Sequence, residues 1–371
     1  MRIVRLEAIP IALPFRERYR TASGELDARE MAIVRLHTDT GPSGLGEAVP
    51  LSLRGGPSLA SVLTEIAACE PVVVGAGVVA PLGRVPVEIR AWIHELLGAC
   101  RRSGAGAQAL TALDIALHDL AGRVSGLPLW RLLGAGEVIP VHCNATLDAG
   151  EPEAVAERAR RQLAEGFRTF KVKVGIGADA DVERVGAVRG AVGAPARIRV
   201  DANGAWAPGE AVAELARLGS FELELAEQPC ADLAGLAEVR AKLSLPVVAD
   251  ESVASLADAE DAVRIGACDA VTVKLSKVGG LLEALRIAAV VPTYLSSALD
   301  GPIGIAAAAH LVQALPRDGY ATRFEHGLAT LEMFSSTYAS HEGLTGASLT
   351  PPTTPGLGVE IDDTRLDGFR I

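Results

Sequence analysis

This sequence has few aromatic residues and no excess of positive charge. Phe, Trp and Tyr make up 4% of the 371 residues, so Ala, Val and Leu must fill most of the core. The formal net charge at pH 7 is −11. Nucleic-acid binding is therefore not expected, because phosphate contacts require a basic surface. A local cationic pocket for a small carboxylate substrate is compatible with this charge.

The sequence also gives no indication of a disulfide framework, an export signal or a membrane span. The five cysteines are an odd number, widely separated and without a Cys-x-x-Cys pair, which is typical of reduced cytoplasmic thiols. Arg2, Arg5 and Glu7 interrupt the first apolar stretch, unlike a signal peptide. No apolar run reaches the ~18–20 residues that span a bilayer. We expect a cytoplasmic protein with no membrane partner.

A chain of this length exceeds what one hydrophobic core usually supports, so two lobes are expected. Residues 1–125 are predicted to form an α+β domain. Its strands would be Ile3–Leu13 and Met31–Thr38, the second half-solvated, with a loop over Arg16–Arg29. Helical periodicity covers residues 58–70, 86–99 and 106–122.

Strands and amphipathic helices alternate from Val138 onward, which predicts a parallel sheet. Eight such units would close it into an α/β barrel over residues 126–335, with residues 336–371 returning to the first lobe. The predicted strands are Val138–Leu147, Phe170–Val174, Ile198–Asp201, Leu223–Glu227, Val247–Asp250, Val271–Lys274, Thr293–Ser297 and a weaker one near Thr322–Glu325.

Acidic residues end three consecutive predicted strands, at Asp201, Glu227 and Asp250. In a parallel barrel these ends meet at one rim, the usual place for catalysis. Three hard oxygen ligands suit Mg²⁺, with Mn²⁺ as the alternative, and the absence of His and Cys there argues against zinc. Simple helix capping is the structural alternative for each residue.

Lysines end other strands on the same rim. Lys171 and Lys173 lie two apart, so both would point into the barrel, and Lys274 would project from its far side. Mutual repulsion and a nearby cation would lower a lysine pKa until it can accept a proton. The set predicts Mg²⁺-dependent proton abstraction α to a carboxylate through an enediolate.

The chain resembles the muconate-lactonizing subgroup of the enolase superfamily over nearly its whole length. The matching motifs are Gly46-Glu47-Ala48, the segment from Ala112 to Leu120, Lys171-x-Lys173, Asp201-Ala202-Asn203, Glu227-Gln228-Pro229, Asp250-Glu251-Ser252 and Lys274. The resemblance implies a (β/α)₇β TIM-like barrel with an N-terminal α+β capping domain. It also implies bound Mg²⁺ and an acid/base pair of Lys173 and Lys274.

A finer resemblance is to the o-succinylbenzoate synthases of menaquinone biosynthesis. It rests on Arg199 to Trp206, Leu295 to Asp300 and His326 to Thr330. It implies a lyase performing a syn dehydration, in which Lys173 takes the α-proton and then protonates the departing hydroxyl. Lys274 would stay cationic across the ring of the substrate.

Two other functions remain open. Dipeptide epimerases of this subgroup carry an Asp-x-Asp after the last strands, and this sequence has none there. N-succinylamino acid racemases and cycloisomerases share the catalytic residues, however, and Lys173 and Lys274 could serve as bases on two faces of a carbon. A catalytically idle structural or binding barrel is the third hypothesis, against which the intact lysines and carboxylates argue.

Further residues are candidates for substrate contact or support. Ser296 and Ser297 could bind a substrate carboxylate or simply end a strand, and Asp300 could do the same or cap a helix. Arg199 could meet a carboxylate or form a structural ion pair. The remaining candidates are Asn203, Glu251 as support beside a metal ligand, and Tyr19, Thr21 and Ser23 in the capping loop. The sequence favours neither a monomer nor a homo-oligomer.

Overall fold

The capping lobe is built on a three-stranded antiparallel sheet. The computed structural model describes residues 1–21, 24–52, 55–78, 86–316, 324–340 and 342–371. Strands β1 (Ile3–Thr21) and β2 (Gly24–Thr38) form a long hairpin, and β3 (Gly44–Ala48) pairs with β2. The prediction of a loop over Arg16–Arg29 is wrong, because the ladder continues to pairs such as Tyr19 with Leu26.

Helices cover one side of this sheet. They are α1 (Leu59–Ala68), α2 (Glu70–Val73), α3 (Pro86–Arg102), α4 (Ala107–Ser125) and α5 (Leu129–Leu132). The three longest match the predicted helices closely. Helix α4 ends at Gly126, whose φ of 69° is a left-handed conformation that glycine adopts without strain.

The other side of the sheet lies on the barrel. Met31 and Ile33 of β2 belong to the same apolar cluster as the barrel core, whereas Ala32, Val34 and Leu36 pack with the helices of the capping lobe. The predicted half-solvated strand is therefore buried on both faces over this stretch. The sequence alternation does not reveal this, because both faces carry apolar residues here.

A seven-stranded parallel sheet forms the barrel wall. In chain order, a short strand β4 (Val141–His142) precedes β5 (Ala145–Leu147), β6 (Thr169–Lys173), β7 (Arg197–Asp201), β8 (Leu223–Glu227), β9 (Val247–Ala249), β10 (Ala270–Val273) and β11 (Thr293–Leu295). Each strand from β5 to β11 pairs with its sequence neighbour, as predicted. The helices between and after them are α6 (Pro152–Ala164), α7 (Ala178–Val192), α8 (Pro208–Leu218), α9 (Leu233–Arg240), α10 (Leu256–Ile265), α11 (Leu275–Val278), α12 (Leu281–Ala288) and α13 (Pro302–Val312).

Two residues close this sheet into a barrel. The His326 carbonyl accepts a hydrogen bond from Asn144 N at 2.9 Å, and Gly327 N donates to Leu295 O at 2.8 Å. These bonds join the two edge strands of the sheet through one short segment, which takes the eighth position. The predicted eighth strand near Thr322–Glu325 partly lies outside the described residues, and the bridging pair follows it.

The C-terminal segment lies against the capping lobe. Strand β12 (Ser348–Leu349) pairs with β4, and helix α14 (Asp363–Asp367) comes close to the end of the chain. Ala12 N donates to Phe369 O at 2.9 Å, and Leu357 N donates to Asp119 Oδ1 of α4 at 2.8 Å. Across the ranges described, no helix has the length and apolar character needed to cross a membrane.

Candidate active site

Three buried carboxylates lie side by side at the carboxyl ends of the barrel strands. The sheet register places Lys173 opposite Asp201, and Asp201 opposite Glu227. Asp250 follows the last residue of β9. All three carboxylates are fully buried. The barrel therefore brings together the acidic residues that the strand ends predicted.

Lys171 and Lys173 both point toward these carboxylates, as their spacing of two along a strand requires. Lys171 Nζ lies 3.0 Å from Glu227 Oε1 and 3.3 Å from Asp201 Oδ2. Lys173 Nζ donates to Asp201 Oδ2 at 2.5 Å and to Asn203 Oδ1 at 2.7 Å. Lys173 is the more exposed of the two side chains.

Two further lysines hold Asp250 from the other side. Lys274 Nζ donates to Asp250 Oδ2, and Lys277 Nζ lies 2.8 Å from Oδ1. Gln228 Oε1 also accepts the Asp250 N–H, at 2.6 Å. The sequence reasoning missed Lys277 and Gln228. One signal was available: the chain has only five lysines among its 35 Lys and Arg residues, and four of them converge here.

Lys173 and Lys274 approach this cluster from opposite sides of the mouth of the barrel, which is the rim at the carboxyl ends of its strands. Lys173 ends β6 and Lys274 directly follows β10. These strands are four positions apart in a closed ring of eight, and the strands carrying Asp201, Glu227 and Asp250 lie between them. A small molecule above the carboxylates would have one lysine on each side.

The charges at the mouth shift one another strongly. Burial opposes ionisation of Asp201, but the ammonium groups of Lys173 and Lys171 outweigh it and hold the pKa of Asp201 far below its usual range. Burial disfavours the Lys171 ammonium, yet the Glu227 and Asp201 carboxylates raise its pKa well above the ordinary value. These carboxylates therefore favour a charged Lys171, and the lowering of its pKa by a bound cation stays a prediction.

Burial dominates at Glu227 and Lys277. It raises the pKa of Glu227, because Lys171 compensates the carboxylate only partly. It also lowers the pKa of Lys277, although Asp250 favours the charged ammonium. At both Glu227 and Lys277, the opposite charges in contact therefore offset only part of the free-energy cost of burying an ionised group.

The three carboxylates are suitable ligands for a divalent cation, but their oxygens do not already lie close enough together to bind one. Three adjacent buried carboxylates are hard oxygen donors and repel one another unless positive charge lies between them. In the described residues, no three His, Cys, Asp or Glu side chains are gathered closely enough to hold a metal ion. Lysine ammonium groups supply the positive charge instead, on Asp201, Glu227 and Asp250.

Comparisons with known proteins agree with this geometry. Residues 4–134 match the family model of the mandelate racemase / muconate lactonizing enzyme N-terminal domain, and residues 154–365 match the enolase C-terminal domain-like model. The chain belongs to the enolase superfamily, in the mandelate racemase and muconate lactonizing enzyme group. This confirms the resemblance seen in the sequence and the capped-barrel fold.

Individual relatives in the superfamily have different activities. The L-Ala-D/L-Glu epimerase of Bacillus subtilis is 32% identical over 370 residues, covering 97% of each chain. An o-succinylbenzoate synthase of Thermobifida fusca is 43% identical, but over 205 residues, 53% of this chain and 61% of that protein. The crystal structure of a dipeptide epimerase from Enterococcus faecalis V583, complexed with Mg and the dipeptide L-Leu-L-Tyr, aligns with a TM-score of 0.86 and 31% identity over 97% of this chain and all of that one.

Inside the barrel, below the mouth, an aromatic and cationic layer supports Glu227. Tyr294 of β11 donates its hydroxyl to Glu227 Oε2 at 2.6 Å. The Arg199 guanidinium lies 5.1 Å from the Tyr294 ring centroid and 5.3 Å from that of Phe324. The sequence reasoning missed Tyr294, since a tyrosine within an apolar strand gives no sign of its hydrogen-bond partner.

Arg199 is a structural residue of this layer. It is fully buried, its Nε lies 2.5 Å from Glu224 Oε2, and Nη1 donates to Glu325 O at 2.7 Å. Contact of Arg199 with substrate stays a prediction, and its observed partner is the Glu224 carboxylate beneath the mouth. The ion-pair alternative describes it correctly.

Ser296, Ser297 and Asp300 lie in the turn after β11, at the same end of the barrel as the lysines. Ser297 Oγ donates to Asp300 Oδ2 at 2.8 Å and accepts from Thr330 Oγ1 at 2.9 Å. The N-cap of α13 is Gly301, so the prediction that Asp300 caps this helix is wrong. Asp300 instead closes the turn by accepting the Ala298 N–H at 2.8 Å.

Asn203 links the two sides of the mouth. Its Oδ1 accepts from Lys173, and its Nδ2 donates to Glu251 Oε1 at 2.8 Å. Its φ of 47° is a left-handed conformation that asparagine tolerates better than most residues. Glu251 is thus linked to Lys173 through Asn203, and its role in supporting a metal ligand stays a prediction.

The capping hairpin carries the remaining candidates. Tyr19 stacks on Phe15 with ring centroids 5.5 Å apart, and Phe15 in turn stacks on Phe334 at 5.2 Å. Thr21 is the last residue of β1. Ser23 lies outside the described residues. Contact of Tyr19 and Thr21 with substrate stays a prediction.

Proposed function

We propose that this chain is a racemase or epimerase acting at the α-carbon of an amino acid that has an acylated nitrogen and a free carboxylate. The observation that carries the proposal is the placement of Lys173 and Lys274 on opposite sides of the carboxylate cluster. Inverting a carbon centre requires a proton to leave one face and return to the other. Two lysines on opposite sides meet that requirement.

The relatives support this substrate class. The Bacillus subtilis protein is an L-Ala-D/L-Glu epimerase, and the Enterococcus faecalis structure holds Mg and L-Leu-L-Tyr. The C-terminal residue of any dipeptide has an acylated nitrogen and a free carboxylate. N-succinylamino acids share both features, so one chemistry covers both groups of substrates. The missing Asp-x-Asp favours an acyl group without an ammonium.

In this proposal, the residues of the mouth transfer protons, supply positive charge or bind the metal ion. One lysine, neutral at the start, removes the α-proton, and the ammonium of the opposite lysine protonates the other face. Lys171 stays charged, which helps to keep Asp201 ionised and partly offsets the cost of ionising the buried Glu227. Asp201, Glu227 and Asp250 would hold Mg²⁺, which when bound supplies electrostatic stabilisation of the negative charge that develops on the substrate carboxylate.

A second candidate is the o-succinylbenzoate synthase activity that the sequence first indicated. The Thermobifida fusca match supports it, but over about half of this chain, whereas the epimerase relatives match nearly all of it. Dehydration needs one base and a cation on the other side, which the same lysines could provide. A cytoplasmic location and the use of Mn²⁺ in place of Mg²⁺ are further proposals.

Deuterium exchange separates these functions. With Mg²⁺ in D₂O, the protein is expected to replace the α-proton of N-succinylamino acids or dipeptides and to invert the centre, followed by NMR and chiral chromatography. Lys173→Ala and Lys274→Ala should each lower racemisation by about 10²–10⁴-fold, the usual contribution of a general acid or base. Each variant should still exchange the proton of one enantiomer, and the two variants should prefer opposite ones.

Lys242→Ala is the matched control, because Lys242 is the one exposed lysine of the five and lies away from the mouth. It should leave both exchange and inversion unchanged. Turnover of the succinyl hydroxycyclohexadiene carboxylate without exchange of N-acyl amino acids would establish the second candidate instead. No exchange and no dehydration would support the idle barrel.

A further inference from the structure

A carboxylate of the capping lobe contacts the start of helix α13. Glu47 of β3 is 2% exposed, and its Oε1 accepts the Gly301 N–H at 2.7 Å. Its Oε2 accepts the hydroxyl of Tyr338. The positive end of the helix and the Gly301 N–H favour the ionised form of Glu47, but its burial and the nearby Asp300 carboxylate outweigh them.

The barrel leaves room for this side chain by having two glycines. A Cβ at Gly301 would lie 2.6 Å from Glu47 Oε2, and one at Gly304 would lie 2.7 Å from Oε1. Neither distance is compatible with a side chain larger than hydrogen unless Glu47 moves. The first turn of α13 and the capping strand therefore fit each other closely.

The segment between β11 and α13 is held from the capping lobe at two points. Arg29 of β2 donates to the Ala298 carbonyl at 3.0 Å, and Glu47 accepts from Gly301 at its other end. Between them Leu299 has a φ of 67°, a conformation that costs a leucine about 1 kcal/mol or more. External contacts are needed to keep the turn in this shape.

We infer that Arg29 and Glu47 are positioning residues that fix the 297–301 turn, and with it the side of the mouth formed by Ser296 and Ser297, so that substrate affinity depends on how the capping lobe is docked. The inference rests on the proposed function in placing substrate at this mouth. Neither residue touches the lysines or the carboxylate cluster in the contacts described. They act through the turn.

The charge of Glu47 makes this docking pH-dependent. Burial raises the pKa of Glu47 from 4.5 to about 7, and the Asp300 carboxylate beside it adds to the rise. Because the folded-state pKa lies above the unfolded one, the stabilisation is complete below about pH 4.5 and is lost as pH rises through about 7. The docked state should therefore weaken between pH 6 and 8.5.

The other ionisable groups near Glu47 do not remove this effect. From the C-terminal segment, Tyr338 remains a neutral donor, because burial raises its pKa well above the ordinary value. Burial also raises the pKa of Asp300, although its hydrogen bonds to Ala298 and Ser297 and the charge of Arg29 from β2 act in the opposite direction. Helix α4, packed under β3, carries Asp114 and His118, which lie 2.7 Å apart, and Asp119, which pairs with Arg123 at 2.9 Å.

The test compares wild type with Glu47→Gln, which resembles the protonated acid at every pH. For wild type, KM should rise about tenfold from pH 6 to 8.5, while kcat changes little. A tenfold change in affinity is the effect that a difference of one pKa unit produces. Glu47→Gln should lose this rise. Arg29→Lys keeps the charge but loses the planar guanidinium, and should raise KM at every pH. Glu30→Gln, an exposed neighbour on β2, is the control and should behave as wild type.

Hydrogen exchange of the 296–301 amides, corrected for intrinsic rates, gives a second readout that needs no substrate. Exchange should speed up about tenfold over the same pH range in wild type and stay constant in Glu47→Gln. Identical KM and exchange profiles in the two proteins would overturn the inference. A wild type with no turnover would refute the proposed function, while the exchange result would still decide this inference.

Discussion

At the scale of single residues, the mouth of the barrel is a set of buried charges that satisfy one another. Each carboxylate has a lysine partner, and Glu227 has a second partner in Tyr294. The residue types and their strand-end positions are visible in the sequence. The partners Lys277 and Tyr294 are not, because their roles depend on which strand end or helix turn reaches which carboxylate.

Removing the Tyr294 hydroxyl should destabilise the protein. In Tyr294→Phe the ring still packs on Phe324 and Arg199, but Glu227 Oε2 loses its donor inside the barrel. A buried acceptor left without a partner costs about 1–3 kcal/mol, so the free energy of unfolding in urea should fall by that amount.

A double-mutant cycle assigns this loss to the hydrogen bond. Tyr294→Phe should cost clearly less when Glu227 is already Gln, because the charged acceptor is then absent. Equal costs in both backgrounds would show that the hydroxyl acts through packing and not through Glu227.

At the scale of elements, the close approach of β3 to α4 sets the position of the capping lobe. A Cβ at Gly46 would lie 2.0 Å from the Ala112 carbonyl oxygen, and one at Gly44 would lie 2.2 Å from that of Ala116. The strand backbone therefore packs directly on the helix backbone. The sequence predicted α4 well but could not show that these glycines face it.

Gly46→Ala should therefore be strongly destabilising. The new methyl group meets backbone that cannot move aside, and overpacking of this kind costs about 3 kcal/mol, the upper part of its usual range. Thermal unfolding of purified protein measures the effect.

Gly190→Ala gives the matched comparison. Gly190 is an exposed residue of α7, and a methyl group added there would meet nothing within 4 Å, so the same substitution should gain up to about 1 kcal/mol of helix stability. A loss at Gly190 as large as that at Gly46 would contradict the packing argument.

At the scale of the whole molecule, the two lobes share one sheet. The β2 residues Met31 and Ile33 belong to the barrel core, and their neighbours Ala32 and Val34 belong to the core of the capping lobe. Neither lobe can lose its structure without exposing apolar surface of the other. The C-terminal segment reinforces this through Leu357 on Asp119 and Phe369 on Ala12.

The capping lobe and the barrel should therefore unfold together. Of the three tryptophans, Trp92 lies in α3 and Trp206 in the barrel. Variants that keep only Trp92 or only Trp206 should show fluorescence transitions in guanidinium with the same midpoint. Loss of the Trp92 signal at a lower concentration would show that the capping lobe opens independently.

Local sequence patterns were enough to predict the barrel and the charged residues at its mouth. Strand periodicity and the acidic or lysine residue at each strand end are local features, and the parallel geometry of a barrel gathers them at one rim without further information. That geometry alone predicts six charged residues at one rim, and each of them has an oppositely charged partner there: Asp201, Glu227, Asp250, Lys171, Lys173 and Lys274.

The fit between the lobes and the groups that support the site depend on tertiary contacts. The burial of Arg199 against Glu325 and the contact of Glu47 with the start of α13 join parts of the chain that are distant in sequence. Such contacts depend on packing between surfaces, and a buried glutamate or arginine has the same local sequence pattern as an exposed one. The substrate side of the mouth belongs to this second group.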